Sequence, residues 1–432
     1  MTRAPRSGLP PTPPASPAGP RPARRGRLGV GLLPACLAGP LVVGPLVAGM
    51  LVLGALPSAS DDAGATARAG QDVGATARAG QWQLSTLRLP EAWLRSKGDG
   101  VLVAVLDTGV DGRHPDLAGA VVDGPDLTGA RKEPSMWGHH GTAMASLIAG
   151  RGHAARRPLG RSGVAGVAPA ARVLSVRVTL ENGDPLREQQ RSGGANALAK
   201  GIRYAVDNGA DVISMSLGGG SGSWEGSAAE EEAVQYAISR GAVLVASSGN
   251  DGESTNRKNF PAAYPGVIAV GAVDRRLEVA PFSNRQDYLS VVAPGTGIVT
   301  ADGADSYVVG DGTSSAAAMV AGIAALIKAV HPGLSPYHVR TAIERGARRQ
   351  PAGGYSRAYG HGVANALLAL READRLADPV VPAASAAGAV GYFGAGPPSD
   401  APASRILVVL GMVLLTAVMS ARVIVRHRRR GM

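Results

Sequence analysis

Cysteine is almost absent: Cys36 stands alone among 432 residues, which excludes an intrachain disulfide and a cysteine-based metal centre. Acidic residues are missing from both ends. Residues 1–60 carry six arginines and no acid, as do residues 405–432. The net charge of +11 therefore leaves about −1 for the stretch between. A groove for phosphate backbones needs its cations on the folded part, so nucleic acid is not an expected partner. No glycine-rich phosphate loop follows the first apolar strand, which argues against a nucleotide-binding domain. The 12-residue calcium-loop pattern is missing too. Asp111, Asp116 and Asp126 read as solvated surface acids, and structural calcium stays open. No cofactor is expected. What is present is ample: 45% of the residues are hydrophobic, enough for a large core held together by burial alone.

The ends read as topogenic segments. Arg21, Arg24, Arg25 and Arg27 precede a largely apolar run, Leu28 to Leu56, followed by the small residues Ser58-Ala59-Ser60. Residues 1–60 are thus expected to be a signal peptide or N-terminal anchor, with cleavage favoured. At the other end Ile406 to Val425 is nearly all apolar, and about 20 helical residues cross a hydrocarbon layer of about 30 Å. Arg422 lies near its end, where a long side chain can snorkel to the interface. Arg426, His427, Arg428, Arg429 and Arg430 follow and belong on the cytoplasmic side. Residues 405–425 are therefore expected to form a transmembrane helix, with 426–432 as a basic cytoplasmic tail. Asp62–Gln71 is repeated almost unchanged as Asp72–Gln81, and residues 61–81 read as a mobile extension. The Pro/Ala/Gly-rich stretch 378–404 reads as a linker reaching on the order of 30 Å.

Between these segments apolar runs alternate with helix-periodic stretches, the pattern of an α/β domain whose mostly parallel sheet is covered on both faces. The runs are Val101–Leu106, Val173–Val178, Val212–Leu217, Ala242–Ala246 and Val267–Val270. Leu198, Ile202, Ala205 and Val206 share one helical face, and Ala233, Val234, Ala237 and Ile238 share another. Ser335-Pro336 marks a helix start. In such sheets chemistry gathers at the carboxyl ends of the strands.

Asp107-Thr108-Gly109 closes the first strand, a carboxylate followed by a glycine suited to a tight turn. His140-Gly141-Thr142 opens a helical stretch, with His139 an equally plausible capping neighbour. Gly312-Thr313-Ser314 enters an alanine-rich helix whose N-terminal dipole and unpaired N–H groups suit an oxyanion. A serine needs a histidine to take its proton, and the histidine needs a buried carboxylate to fix its tautomer.

The segments VAVLDTGVD (103–111), HGTAMASLIAG (140–150) and GTSSAAAMVAG (312–322) resemble the three signature stretches of subtilisin-like serine proteases, in the same chain order. The likeness extends over roughly residues 82–372 and includes HPDL (114–117), ISMSLGG (213–219) and VASSGN (245–250). It implies a three-layer fold over 82–377, in which Asp107 orients the imidazole, His140 is the general base and Ser314 the nucleophile. It further implies that Asn250 serves the oxyanion and that Ser216, Leu217 and Gly218 pair with an extended peptide. Ala318 stands where the wider family usually has proline, a change that keeps a good helix former. QWQLSTLRLPEAW (81–93), taken with the two terminal segments, is similar to the mycosins, membrane-anchored proteases of type VII secretion. The resemblance thus implies a single-pass extracytoplasmic serine endopeptidase with peptide or protein substrates and possible partners among secretion-complex membrane proteins. The rival expectation is a structural component of such a complex in which proteolysis is dispensable.

Overall fold

The computed structural model describes residues 73–130, 137–154, 161–187, 196–218 and 226–378. The expected N-terminal segment 1–60, the first repeat copy, the C-terminal span 405–425, the basic tail and all of the linker beyond Asp378 lie outside the described residues.

In chain order the described elements begin with helices α1 (Val73–Gly80), α2 (Gln83–Thr86) and α3 (Leu89–Ala92), then strands β1 (Leu102–Asp107) and β2 (Val121–Asp126). Helix α4 (His139–Ala149), strands β3 (Arg151–Ala154), β4 (Arg161–Ala165) and β5 (Arg172–Arg177), and helix α5 (Ala197–Asp207) follow. Then come β6 (Val212–Met215), α6 (Ala228–Ser239), β7 (Val243–Ser247), β8 (Ile268–Val273) and β9 (Leu289–Pro294). A hairpin of β10 (Ile298–Asp302) and β11 (Ser306–Gly310) precedes helices α7 (Thr313–Val330), α8 (Pro336–Arg345) and α9 (Ala366–Ala377).

Seven strands form one sheet in the order β2-β5-β1-β6-β7-β8-β9, and each neighbouring pair runs parallel. The apolar runs of the inner strands fit this arrangement, since strands covered on both faces bury nearly all their side chains, whereas edge strand β2 is only partly covered. Successive residues of β1 feed opposite layers. Val103 and Val105 join a cluster with Leu147, Ile148, Val320 and Ile323. Ala104 and Leu106 join the other cluster, with Ile202, Ala205 and Val234. Helices α4, α7, α8 and α9 thus cover one face, and α5 and α6 the other. The expected α/β architecture with a parallel sheet between helices is what the chain adopts.

Local chemistry sets the helix ends. Ser335 Oγ accepts the His338 N–H at 3.3 Å with Pro336 next in line, Ser227 Oγ accepts the Glu230 N–H at 3.2 Å, and Asn365 Oδ1 accepts the Leu368 N–H at 2.9 Å. Each such cap contributes about 1 kcal/mol. Helix α7 is long and apolar enough to cross a membrane, yet nearly all of it is buried between the sheet and its neighbours.

Two expectations need correction. The second repeat copy is not a mobile spacer over residues 73–80: it is helix α1, with Gly74 and Ala77 buried and Ala77 clustered with Val164 of β4 and Val299 of β10. Gly74 and Ala77, three residues apart, give the helix a face of small residues that lies close on the hairpins. Nor are Asp111 and Asp116 solvated; they are 6% and 0% exposed. Arg113 caps Asp111 with two side-chain hydrogen bonds, at 2.9 and 2.7 Å, and these hold the Asp111 carboxyl below the usual carboxylate range. Asp116 sits in a nest of donors from His153, Val164 and Tyr307.

Candidate active site

The carboxyl ends of the central strands converge on one rim. Asp107, the last residue of β1, has its side chain 1% exposed. Its Oδ1 accepts from His140 Nδ1 at 2.7 Å and from the Thr108 N–H, also at 2.7 Å. His140 occupies the first turn of α4. Burial opposes charge on this imidazole, but the adjacent Asp107, and behind it Glu181, outweigh burial and hold its pKa above the ordinary value.

Two threonines not singled out in the sequence stitch this corner together. Thr108 Oγ1 accepts the Gly141 N–H at 3.0 Å, and Thr142 Oγ1 accepts the Asp111 N–H at 2.7 Å. Between them the helix start comes so close to the β1 loop that a Cβ on Gly141 would lie 2.0 Å from the Gly109 carbonyl oxygen. Only glycine permits that approach, which is what brings the imidazole within reach of Asp107. His139, the alternative histidine, turns away to pair with Asp302 at 2.6 Å.

Ser314 lies in the first turn of α7, partly exposed, with Gly312 as the N-cap. Its hydroxyl donates to the Ser216 carbonyl at 3.3 Å, and Ser216 Oγ donates in return to the Ser314 carbonyl at 2.9 Å. This exchange ties the serine turn to the segment after β6. No His140–Ser314 hydrogen bond occurs among the described residues; such contacts commonly tighten only when substrate is bound.

Asn250 is oriented by its oxygen. Oδ1 accepts from both the N–H and the hydroxyl of Thr313, at 3.0 and 2.8 Å, which leaves the amide Nδ2 as the outward donor. A Cβ placed on Gly312 would lie 3.6 Å from Asn250 Nδ2 and 3.7 Å from the Ser314 nitrogen. Two N–H donors thus flank one small space at the positive end of a long helix, a setting suited to a developing oxyanion. Of the segment expected to pair with peptide, Ser216 and Leu217 follow directly on β6, and Ser247 Oγ holds the Leu217 carbonyl at 3.3 Å. Gly218 adopts a φ of 111° against Asn259. Gly219 and Gly220 lie outside the described residues.

Sequence reasoning passed over Glu181, which is 7% exposed and accepts the His140 N–H at 3.1 Å. Its place after a buried parallel strand, at the same rim as Asp107, was the available signal. Among the described residues no group of three or more potential metal ligands is gathered.

The site's geometry has counterparts in known proteins. Residues 98–362 match the model of the subtilase family. Thermitase of Thermoactinomyces vulgaris is 38% identical over 261 residues, covering 60% of this chain and 86% of thermitase. A thermophilic serine proteinase of Bacillus sp. (strain AK1) is 40% identical over 270 residues, and the match spans 62% of each protein. Among solved structures, MycP1 from the ESX-1 type VII secretion system superimposes with a TM-score of 0.55 at 29% identity, covering 67% of this chain and 85% of that one.

Proposed function

The chain belongs to the subtilase family of serine endopeptidases, and on that premise we propose that Asp107, His140 and Ser314 are its catalytic triad, in a protease held at the outer face of the cytoplasmic membrane. The observation that carries the reading is the 2.7 Å Asp107–His140 hydrogen bond at the rim where Ser314 opens α7. Ser314 Oγ attacks the scissile carbonyl as His140 Nε2 takes its proton, and buried Asp107 stabilises the imidazolium. Asn250 Nδ2 and the Ser314 N–H receive the oxyanion. The tetrahedral intermediate collapses to an acyl-enzyme as His140 returns the proton to the leaving amine, and water then releases the acyl group by the same steps. Ser216, Leu217 and Gly218 offer backbone for strand-like pairing with the peptide.

The apolar run Ile406–Val425 and the arginine cluster behind it support a single-pass anchor with the protease domain outside and the C-terminus in the cytoplasm. Likeness to MycP1 supports work beside the membrane proteins of a type VII secretion system.

A fluorophosphonate probe followed by peptide mass spectrometry tests the nucleophile. Label on Ser314 is expected, and label confined to any other residue overturns the assignment. Asn250→Ala should lower kcat by about 10²–10³ with a much smaller change in KM, a magnitude known from subtilisin itself; steady-state kinetics would show it. Because neutral imidazole is the working base and Asp107 favours the charged form, kcat/KM should rise with pH through a midpoint above about 6.5. A midpoint at or below that value would contradict the electrostatics of the site.

A further inference from the structure

The triad does not account for Glu181. This side chain comes from the segment after β5, is buried, and reaches across the rim to the backbone of the catalytic histidine. The first N–H groups of a helix have no partner within it, and the N-cap of α4 is Gly138, which brings no side chain to satisfy them. Glu181 Oε1 does so for His140 itself, at 3.1 Å.

We propose that Glu181 is a positioning residue of this active site: it anchors the turn that carries the imidazole and places a second negative charge behind the catalytic base. The inference rests on the triad reading above. The charged groups around His140 can be named element by element. Asp107 faces it from β1. Glu181 and Arg187 face it from the segment after β5. The His139–Asp302 pair joins the neighbouring residue of α4 to β10, and Ser314 approaches from α7 without charge. Arg187 is held beside Glu181, its guanidinium donating to the Leu180 carbonyl. Asp107 does most to favour the imidazolium. Glu181 adds to it, and Arg187 opposes it. An acid and a base from the same segment therefore adjust, by difference, the acidity that Asp107 chiefly sets for His140.

The test uses the full chain in detergent, with fluorescein-labelled casein as substrate and kcat/KM followed across pH. Glu181→Gln keeps an oxygen that can accept the His140 N–H and removes the charge. Its acid limb is expected to move down by about half to one pH unit. Arg187→Gln should move the limb up. Glu181→Ala loses the anchor as well, so kcat should fall further than in Glu181→Gln at the same pH. An acid limb in Glu181→Gln that overlays wild type, or moves up, overturns the proposal. If Glu181→Gln fails to fold, Arg187→Gln decides, and an unmoved limb there is fatal. The His140 imidazole, titrated by NMR in the Ser314→Ala form with and without Glu181→Gln, gives a readout independent of hydrolysis. Wild-type protein that does not cleave would refute the triad reading, whereas a His140 titration unmoved by Glu181→Gln would refute this one.

Discussion

Ser314→Ala is expected to cut kcat for peptide hydrolysis by about a million-fold, the loss that follows removal of the serine in subtilisin, a relative. The size follows from the way the triad acts as a unit: without the hydroxyl, the His140–Asp107 pair has no proton to take and only the oxyanion donors remain. The fold should barely register the change. Ser314 Oγ makes a single 3.3 Å hydrogen bond, worth about 1 kcal/mol, so the melting temperature should move by no more than about 4 °C. Calorimetry beside a casein assay separates the two effects. A purified variant that cleaves at the wild-type rate would end the acyl-enzyme account. Placed in cells lacking the wild-type protein, the same variant addresses the rival expectation: secretion that proceeds unimpaired would assign the secretion role to the scaffold rather than to proteolysis.

The largest expected loss of stability lies away from the triad, at Asp116. This residue is fully buried in the short turn Pro115–Leu117. Its Oδ1 accepts from His153 Nδ1 at 2.7 Å. Its Oδ2 accepts from the Val164 N–H at 2.6 Å and from Tyr307 Oη at 2.9 Å. One carboxylate therefore fastens the β3–β4 hairpin and the β10–β11 hairpin to the turn between β1 and β2. Asp116→Ala would leave a buried N–H without an acceptor and the two hairpins without a common post. Removing one member of such a buried charged network costs about 3–5 kcal/mol, or roughly 10 °C in melting temperature for a domain of this size. Asp123→Asn, at an exposed position, serves as control and should shift melting by less than about 2 °C. Equal melting of the two variants would show that the network adds nothing net.

Asp116 also marks the limit of what could be read from the sequence. An aspartate in HPDL looks like any turn acid, because the partners that bury it come from Val164, 48 residues on, and Tyr307, 191 residues on. Glu181 escaped for the same reason, its partner lying 41 residues back. Five strands were legible as apolar runs, since burial on both faces leaves a continuous hydrophobic signature. Edge strand β2 was not: Gly124 and Pro125 interrupt it, its register shifts between Asp123 and Asp126, and its side chains are only partly covered. At the other edge β9 ends in Pro294, a residue that argues against a central strand but is allowed at an edge. The three signature stretches point to Asp107, His140 and Ser314, and VASSGN to Asn250; the structure brings these to one rim. What fixes their geometry was silent, because Thr108, Thr142 and Thr313 are ordinary residues until their hydroxyls are seen to bridge separate segments.

The placement of Ser314 at the head of α7 carries one more consequence. Ala316, Ala317, Ala318, Ala321, Ala324 and Ala325 are all fully enclosed, and Gly322 fits so tightly on Val167 that a methyl group there would come within 2.5 Å of it. The nucleophile is thus mounted on the innermost rod of the molecule, where nothing can drift unless the whole interior loosens. Heat should then extinguish activity and structure in one step, with no inactive yet folded form between them.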